Sequence, residues 1–297
     1  MKYVPVLDKG FRPMYAEFKN YSAEVENSAN KTLKICVERN DGYNYIYEYK
    51  IFADKEKADE NNRMAERIVK TILWLVGGYK IYIAGDENVY KFIKAAYTKE
   101  GIRAFDKGFM ERVYEKPFEV VLCDDKTFPA EKKCSLSVGG HLDGCRIGFD
   151  AGGSDRKVSA VIDGKVVYSE EVVWFPKINP DPDYHYNEIL TAFKTAASKM
   201  PRVDAIGVSS AGVYVNNKIM VASLFLKVND EDFEKKVKTM YIDVAKEIGK
   251  DIPLEVANDG DVTALAGAID LNDDSVLGIA MGTSEAVGYI NKNGGLN

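Results

Sequence analysis

Three short segments of the chain carry residue types that can bind a phosphate and act on a hydroxyl group. The first reads CRIGFDAGGSD, in which an apolar strand ends in Asp150 and is followed by Gly152, Gly153 and Ser154. Because glycine has no Cβ, the backbone N–H groups of such a turn can approach an anion closely. A carboxylate just before the turn is placed to face a phosphate-bound metal ion. A plain β-hairpin with a glycine turn is the alternative interpretation.

The other two segments lie near the end of the chain. In PLEVANDGD, a strand ends in Asn258 and Asp259 and opens a helix of small residues. In VLGIAMGTSE, a strand ends in Gly282, Thr283 and Ser284. We call residues 152–154 the first glycine turn and residues 282–284 the second. The alternatives are a helix N-cap for the Asn-Asp pair and ordinary turn residues for the hydroxyl groups.

The order of these segments resembles the ROK family of sugar kinases, which belongs to the actin-like ATPase superfamily together with hexokinases. The resemblance covers about half of the chain, residues 146–297. It implies an α/β fold, an actin-like (ribonuclease H-like) ATPase lobe with a βββαβα layout, preceded by an additional α+β region. It also implies ATP and magnesium as cofactors.

The resemblance further implies a role for each segment. Both glycine turns would cradle phosphates, and Asp150 would face the magnesium ion through water. Asp259 would be the catalytic base, and Asn258 would hydrogen-bond a sugar hydroxyl. Asp261 is interpreted as a first-turn helix charge and not as a second base.

The chain departs from the family pattern on the sugar side. Ser210 lies in an SSAG segment where the family usually has a proline-glycine-proline turn, and Ser223 lies where a Pro-Asn pair is common. Both serines are expected to line the sugar side of the cleft. Asp155 stands where many members have a lysine. In the family, an adenosine motif lies well past the second glycine turn, whereas this sequence stops at Asn297, so either the chain is a fragment or another part fills that role. Residues 65–97 look similar to the adenosine element, which would make a permuted fold, although any α/β unit looks like this.

The composition excludes several other classes of function. The chain has 297 residues, 46% of them hydrophobic, and a formal net charge of −6. Neither half is basic, which argues against a nucleic-acid surface, and no apolar run has membrane-spanning length. Without a signal-peptide core at the N-terminus, we expect the cytoplasm. The expected partner is a small-molecule sugar or sugar derivative, with no nucleic acid, no membrane and a homodimer as an open alternative.

The four cysteines give no sign of a metal site or a redox motif. Cys36, Cys123, Cys134 and Cys145 form no C-x-x-C pair. Cys134, Cys145 and His141 match no zinc template, so we expect reduced, partly buried thiols and no zinc.

Hydrophobic periodicity predicts two regions. Residues 1–145 are expected to form an N-terminal α+β region, with a share in the second lobe as one option. The resemblance implies that residues 146–297 form a ROK-like nucleotide-binding and catalytic region. In the first region the patterns predict a strand-rich stretch at 3–52, a helix at 58–76, a strand at 80–84, a helix at 89–97, a strand at 118–122 and a linker at 124–144. In the second they predict strands at 146–150, 157–162, 165–173, 203–209, 253–257, 276–281 and 286–290, with helices at 187–199, 230–248 and 260–269.

The sequence favours ATP-dependent phosphoryl transfer to a sugar or sugar-like hydroxyl. Two other classes stay open: a sugar-binding regulator without catalysis, and an actin-like ATPase with no sugar substrate. ROK regulators usually begin with a helix-turn-helix, whereas the first 50 residues here are interpreted as strands.

Overall fold

The computed structural model describes residues 5–133, 140–281 and 285–296. It divides into two compact units, Met1–Cys134 and Ser135–Asn297, and each has a sheet and a core of its own. Cys134 and the second glycine turn lie outside the described residues. Within the described ranges, no helix combines the length and apolar character needed to cross a bilayer.

The first unit is built on a four-stranded mixed sheet of order β2-β1-β3-β4, in which β3 and β4 are parallel and the other pairs are antiparallel. Its elements in chain order are α1 (Met14–Glu26), β1 (Asn30–Glu38), β2 (Asn44–Phe52), α2 (Ala58–Val76), β3 (Lys80–Ala84), α3 (Glu87–Ala96), α4 (Ala104–Tyr114) and β4 (Glu119–Cys123). Buried side chains such as Ile35, Ile83 and Leu73 join the sheet to the helices. A role for this unit in a second lobe stays a prediction.

The helix α1 corrects the prediction of a strand-rich stretch over residues 3–52. Tyr21 and Val25 are buried on one side of this helix, with Met14 and Phe18 packed against the same core. This spacing of three to four residues is helical, although the aromatic composition favours strands. The helix α4 was not predicted either.

The second unit contains a five-stranded sheet of order β11-β8-β5-β6-β7. Strands β5, β6 and β7 form an antiparallel meander, and β8 and β11 add parallel to β5. The elements of this unit are β5 (Cys145–Ala151), β6 (Asp155–Ile162), β7 (Lys165–Val173), α5 (Pro182–Ala197), β8 (Ala205–Ser210), β9 (Val213–Val215), β10 (Lys218–Val221), α6 (Asp230–Asp232), α7 (Met240–Ile248), β11 (Leu254–Asn258), α8 (Asp259–Leu271), β12 (Val276–Met281) and β13 (Glu285–Ile290). Three antiparallel strands followed by alternating helices and parallel strands confirm the predicted actin-like (ribonuclease H-like) lobe.

The two faces of this sheet differ. Alternate residues of β5, such as Ile147 and Phe149, are buried in a core with Phe193 of α5 and Tyr241 of α7. The residues between them face a groove of about 870 Å³, whose lining includes Gly148, Asp150, Ser159, Gly207, Ser209 and, from α8, Val262 and Leu265. Pleating therefore sends the apolar side chains to the helices and leaves Asp150 on the groove side.

Between β8 and β11 the structure departs from prediction in two places. Strands β9 and β10 form a hairpin whose turn residues Asn216 and Asn217 have φ of 50° and 63°, the left-handed conformation that a two-residue hairpin turn requires. The long helix predicted at 230–248 is wrong: α6 and α7 are separated by a π-helical turn, Phe233–Val237. There the carbonyl of Lys238 accepts a hydrogen bond of 2.9 Å from the Ile219 backbone of β10.

The last strands do not join the main sheet. β12 and β13 form a two-stranded sheet of their own, Ile290 of β13 also bridges to Leu296, and α8 packs against both strands. The approach is very close, because a Cβ on Gly278 would lie 2.3 Å from the Ala264 nitrogen and a Cβ on Gly288 would lie 2.4 Å from the Asp261 Cα. Glycine at these two positions lets the hairpin reach the start and middle of the helix.

Candidate active site

The carboxyl ends of the three parallel strands meet at one edge of the sheet. Asp150 is in register with Ser209, and Ala151 is in register with Ser210, which pairs in turn with Asn258. In open α/β sheets, ligands bind in the crevice outside this edge. The structure thus brings Asp150, the first glycine turn and the Asn258-Asp259 pair to the same edge, with neighbouring strands about 5 Å apart.

The first glycine turn is fastened to the residue that follows β7. The indole Nε1 of Trp174 donates a 2.8 Å hydrogen bond to the Gly152 carbonyl, and the Trp174 backbone N–H donates a 3.1 Å bond to the Ser154 carbonyl. Trp174 itself is 1% exposed. A buried Trp normally finds an acceptor for its N–H, and here the acceptor is the turn. The turn is therefore held in one place before any ligand arrives.

Gly152 and Gly153 are glycine for different reasons. A Cβ on Gly152 would lie 2.6 Å from the carbonyl oxygen of Asp155, so the backbone itself closes that space. A Cβ on Gly153 would meet only the end of the Lys177 side chain, with Cε and Nζ each at 2.7 Å. The first glycine is required by the fold of the turn, whereas the second lets the end of the Lys177 side chain lie against the turn.

The structure gives the charge of Asp155 two local partners. Its carboxylate forms an ion pair with Lys157 and accepts a 2.9 Å hydrogen bond from the Ser154 hydroxyl. The Lys157 ammonium, followed by the Ser154 hydroxyl, holds the pKa of Asp155 below its usual value. The Ser154 hydroxyl is thus already hydrogen-bonded to Asp155, so a phosphate at this turn would meet the backbone N–H groups instead.

Asn258 is the N-cap of α8, so the cap interpretation is right for this residue. Its Oδ1 accepts a 2.9 Å hydrogen bond from the Gly260 N–H, and its Nδ2 donates a 2.9 Å bond to the Gly212 carbonyl. The amide therefore ties the start of the helix to the loop after β8. One N–H and one lone pair remain for a ligand, and sugar binding by Asn258 stays a prediction.

Asp259 is the first residue of α8 and is partly exposed. Its Oδ1 accepts a 3.1 Å hydrogen bond from the Gly260 N–H, which leaves Oδ2 without a described partner. A Cβ on Gly260 would lie 2.7 Å from the Val287 nitrogen, so the helix start touches β13 just after the second glycine turn. The start of α8, which carries Asp259, therefore packs against β13.

Asp261, interpreted as a helix charge, has an unusual environment. It forms no ion pair or side-chain hydrogen bond with the part of the chain that is described, and its backbone is pressed against Gly288. Burial, with the neighbouring Asp259 carboxylate as the smaller cause, raises the pKa of Asp261 to about 6. The start of α8 therefore holds two carboxylates in unlike surroundings.

The remaining predicted residues have the following positions. Ser210 is fully buried, and its hydroxyl accepts a 3.1 Å hydrogen bond from Tyr241. Ser223 begins the 3₁₀ turn Ser223–Phe225, directly after a segment that approaches Gly212. Sugar contacts for both serines stay predictions. Gly282, Thr283 and Ser284 lie outside the described residues.

Three residues of the site were missed. Trp174 and Lys177 follow β7 in the segment VVWFPKI, where the aromatic and basic letters after a strand were the available signal. The available signal for Asn217 was the Asn-Asn pair between two apolar runs. The Asn217 side-chain amide accepts a hydrogen bond from the Val256 N–H and donates one to the Leu254 carbonyl, both at 2.8 Å. It holds the edge strand β11, and hence Asn258, in place.

No protein-family model matches this chain, and no curated protein matches it. Among solved structures, it is similar to a glucokinase from Parabacteroides distasonis, with 20% identity, a TM-score of 0.42, and 52% of this chain and 46% of that chain covered. It is similar to a ROK hexokinase from Thermus thermophilus, with 17% identity, a TM-score of 0.39, and coverage of 51% and 47%. A ROK family transcriptional regulator, a homologue of the E. coli MLC protein, shows 17% identity, a TM-score of 0.37, and coverage of 52% and 38%.

These solved structures include sugar kinases and a regulator of the ROK family, the family whose motifs the sequence resembles. The chain spans about half the length of the kinases it matches. Both kinases and a regulator appear among them, and the likeness at this level describes a fold and assigns no activity. The strand order β11-β8-β5-β6-β7 identifies the fold by itself.

Proposed function

We propose that this chain is a cytoplasmic kinase that transfers a phosphoryl group from ATP to a hydroxyl of a sugar or sugar derivative. The observation that carries the proposal is the meeting of the first glycine turn, Asp150 and Asp259 at one edge of the sheet. Phosphoryl transfer needs a phosphate cradle, a divalent metal ion and a group near the acceptor hydroxyl. This edge offers a residue for each of the three.

The residues present are compatible with magnesium and ATP. Without a Cβ, Gly153 lets the Lys177 ammonium lie against the turn, and an ammonium beside a glycine turn suits a phosphate. Magnesium keeps several waters and is held by one or two carboxylates together with phosphates. No group of three or more His, Cys, Asp or Glu side chains that could hold a metal ion occurs in the described residues, so a protein cage is not proposed. Asp150 would hold the ion through water, and the ion would offset phosphate charge.

Asp259 is the proposed base. It would accept the proton of the sugar hydroxyl as that oxygen bonds to the γ-phosphorus and the bond to the ADP oxygen breaks. Asn258 and the neighbouring loop would position the sugar, and the second glycine turn would hold phosphates from the other side. The contact between Gly260 and β13 supports placing the two together.

A sugar-independent nucleotide-binding protein is the second candidate. The observation that favours it is that the predicted sugar contacts are largely engaged within the protein. Ser210 is buried and bonded to Tyr241, and Asn258 bonds to Gly212 and Gly260. A site that recognises a sugar by its hydroxyl groups needs unpaired donors and acceptors, because hydrogen bonds give such a pocket its selectivity.

The test measures ADP release from MgATP with and without a panel of aldohexoses, N-acetylated amino sugars and sugar alcohols. A sugar that raises ADP release well above the basal rate, with one sugar phosphate formed per ADP, supports the kinase. ADP release that no sugar changes supports the second candidate. Sugar binding by calorimetry with no ADP release supports a regulator and overturns the kinase.

A further inference from the structure

The segment that follows β7 carries a lysine to the first glycine turn. Lys177 lies in the 3₁₀ turn Pro176–Ile178, and β7 ends with Val173 in register with Asp155. The segment is anchored at several points: Trp174 bonds to the turn, and the Phe175 N–H donates a 3.0 Å bond to the Tyr184 hydroxyl. The place of Lys177 is thus set by the fold and not by a flexible loop.

The backbone beneath this lysine is fixed from a second direction. Pro176 is buried, and its carbonyl oxygen lies 3.0 Å from Nε2 of the fully buried His185. The other ring nitrogen of His185 lies 3.0 Å from the Asp181 carbonyl, at the N-cap of α5. The backbone that carries Lys177 is therefore hydrogen-bonded both to the first glycine turn and to the core helix α5.

The ammonium group has no anionic partner of its own. Its Nζ would lie 2.7 Å from a Cβ on Gly153, yet no carboxylate within the described residues forms an ion pair with it. Lys177 is only partly exposed. An unpaired lysine held over a glycine turn places a positive charge where the turn presents its backbone N–H groups.

The other charges at the turn are already paired. Asp155 and Lys157 neutralise each other, and the Ser154 hydroxyl is bonded to Asp155. Lys177 is therefore a second positive charge beside the first glycine turn, and unlike Lys157 it forms no ion pair with the described residues. A compact ammonium with three donors matches the oxygens of a phosphate.

We propose that Lys177 binds the terminal phosphates of the nucleotide at the first glycine turn. It would do so in place of the lysine that many ROK proteins have where this chain has Asp155. This assignment rests on the proposed function. It names Lys177 as a phosphate-binding residue and Gly153 as the residue that keeps the space around its ammonium open.

The test is calorimetric binding of MgATP, MgADP and inorganic tripolyphosphate to the full chain and to Lys177→Met, Lys177→Arg and Lys165→Met. Hydrogen bonds to charged groups contribute enough that Lys177→Met should weaken MgATP and tripolyphosphate binding by about 10- to 100-fold. Lys177→Arg should restore most of the loss, because guanidinium also binds phosphate. Lys165 is exposed at the far end of the β6–β7 pair, and Lys165→Met should bind as the parent does.

A second pair of variants tests the role of Gly153 in leaving room for the Lys177 ammonium. Gly153→Ala should weaken MgATP binding in the parent, since its Cβ displaces the Lys177 ammonium. In a Lys177→Ala background the same change should cost little, because the group that it displaces is gone. This non-additivity separates an effect through Lys177 from a general disturbance of the turn. Unfolding midpoints should match the parent for all three Lys177 variants.

Three results overturn the assignment, and they differ in what else they reject. Parent protein that binds MgATP while Lys177→Met binds it equally well rejects Lys177 alone and leaves the kinase proposal standing. Parent protein that binds neither MgATP nor tripolyphosphate rejects both. Weakened binding that Lys177→Arg fails to restore, together with a lowered unfolding midpoint, shows a structural lysine and also overturns the assignment.

Discussion

The two ends of the candidate site differ in how many polar groups are left unpaired. At the first glycine turn, Lys177 forms no ion pair with the described part of the chain, and a Cβ on Gly153 would meet only the Lys177 side chain. At the acceptor end, Asn258 is bonded to Gly212 and Gly260, and Ser210 is buried against Tyr241. One end can receive an anion as it stands, whereas the other offers few unused hydrogen-bonding groups.

This difference teaches that a residue type in the right place does not by itself make a binding group. Amides and hydroxyls at strand ends also satisfy the backbone groups that helix starts and loops leave unpaired. The phosphate end is therefore the better defined half of the proposed site. The acceptor end depends on Asp259, whose carboxylate has one oxygen bonded to Gly260 and one without a described partner.

The largest expected effect tests the acceptor end. Asp259→Asn should lower turnover on the best sugar by about 100- to 10,000-fold, the usual contribution of a positioned general base. MgATP affinity and stability should change little, because Asn258 provides the cap and an Asn side chain can still accept from Gly260. Steady-state ADP release and calorimetry measure the two quantities. Asp270→Asn, on the exposed end of the same helix, is the control.

Near-parental turnover in Asp259→Asn would remove the base from the proposed mechanism. It would also favour the sugar-independent nucleotide-binding protein, because the acceptor end would then hold no group that acts on a hydroxyl.

The next largest effect is on stability. The raised pKa of Asp261, about 6, means that the folded protein binds this proton more tightly than the unfolded chain does. Stability should therefore fall as pH rises from about 4 to about 6, and Asp261→Asn should abolish that fall. At pH 7 the substitution should raise the free energy of unfolding by up to about 3 kcal/mol, and at pH 4 by little.

Urea unfolding at pH 4 and pH 7 measures this difference, and Asp251→Asn is the matched control, since Asp251 is exposed and has no described side-chain partner. A stabilisation that is equal at both pH values would show that the Asp261 carboxylate is not the cause. Loss of turnover in Asp261→Asn at full nucleotide affinity would instead add Asp261 to the acceptor end.

The smallest effect concerns the phosphate end. Asp155→Asn removes a negative charge from the first glycine turn, and Lys157 remains. An exposed charge about 4 Å from a phosphate contributes about 1 kcal/mol in water, so MgATP affinity should rise by about fivefold. The gain should shrink at high ionic strength, where exposed charges are screened. Calorimetry at two salt concentrations measures it, and unchanged or weaker binding would contradict the charge balance described for the turn.

Much of the second unit could be predicted from its sequence, because its strands are short apolar runs that end in glycine turns. The predicted strands at 146–150 and 253–257 match β5 and β11 closely. In the first unit α1 was missed, because its aromatic residues favour strands while their spacing is helical. The break in the predicted helix 230–248 depends on a hydrogen bond to β10, a tertiary contact that periodicity does not contain.

The site shows the same division. Asp150, Gly153 and Asp259 were singled out because their motifs are local in sequence. Lys177 reaches Gly153 from 24 positions further along the chain, through the register of β6 with β7. The bonds that occupy Asn258 and Ser210 also come from distant segments, so their engagement within the protein was not predictable from the motif alone.

The hydrogen bond between Trp174 and the Gly152 carbonyl also makes Trp174 an intrinsic fluorescent probe of the first glycine turn. The chain has two tryptophans, of which Trp174 is 1% exposed and Trp74, in the first unit, is 45% exposed. In a Trp74→Phe background, the tryptophan fluorescence of the protein would come from a single indole whose N–H is bonded to the first glycine turn. Iodide quenches exposed indoles far more readily than buried ones. Its quenching of Trp174 would therefore report the solvent exposure of the segment next to the first glycine turn, without any added label.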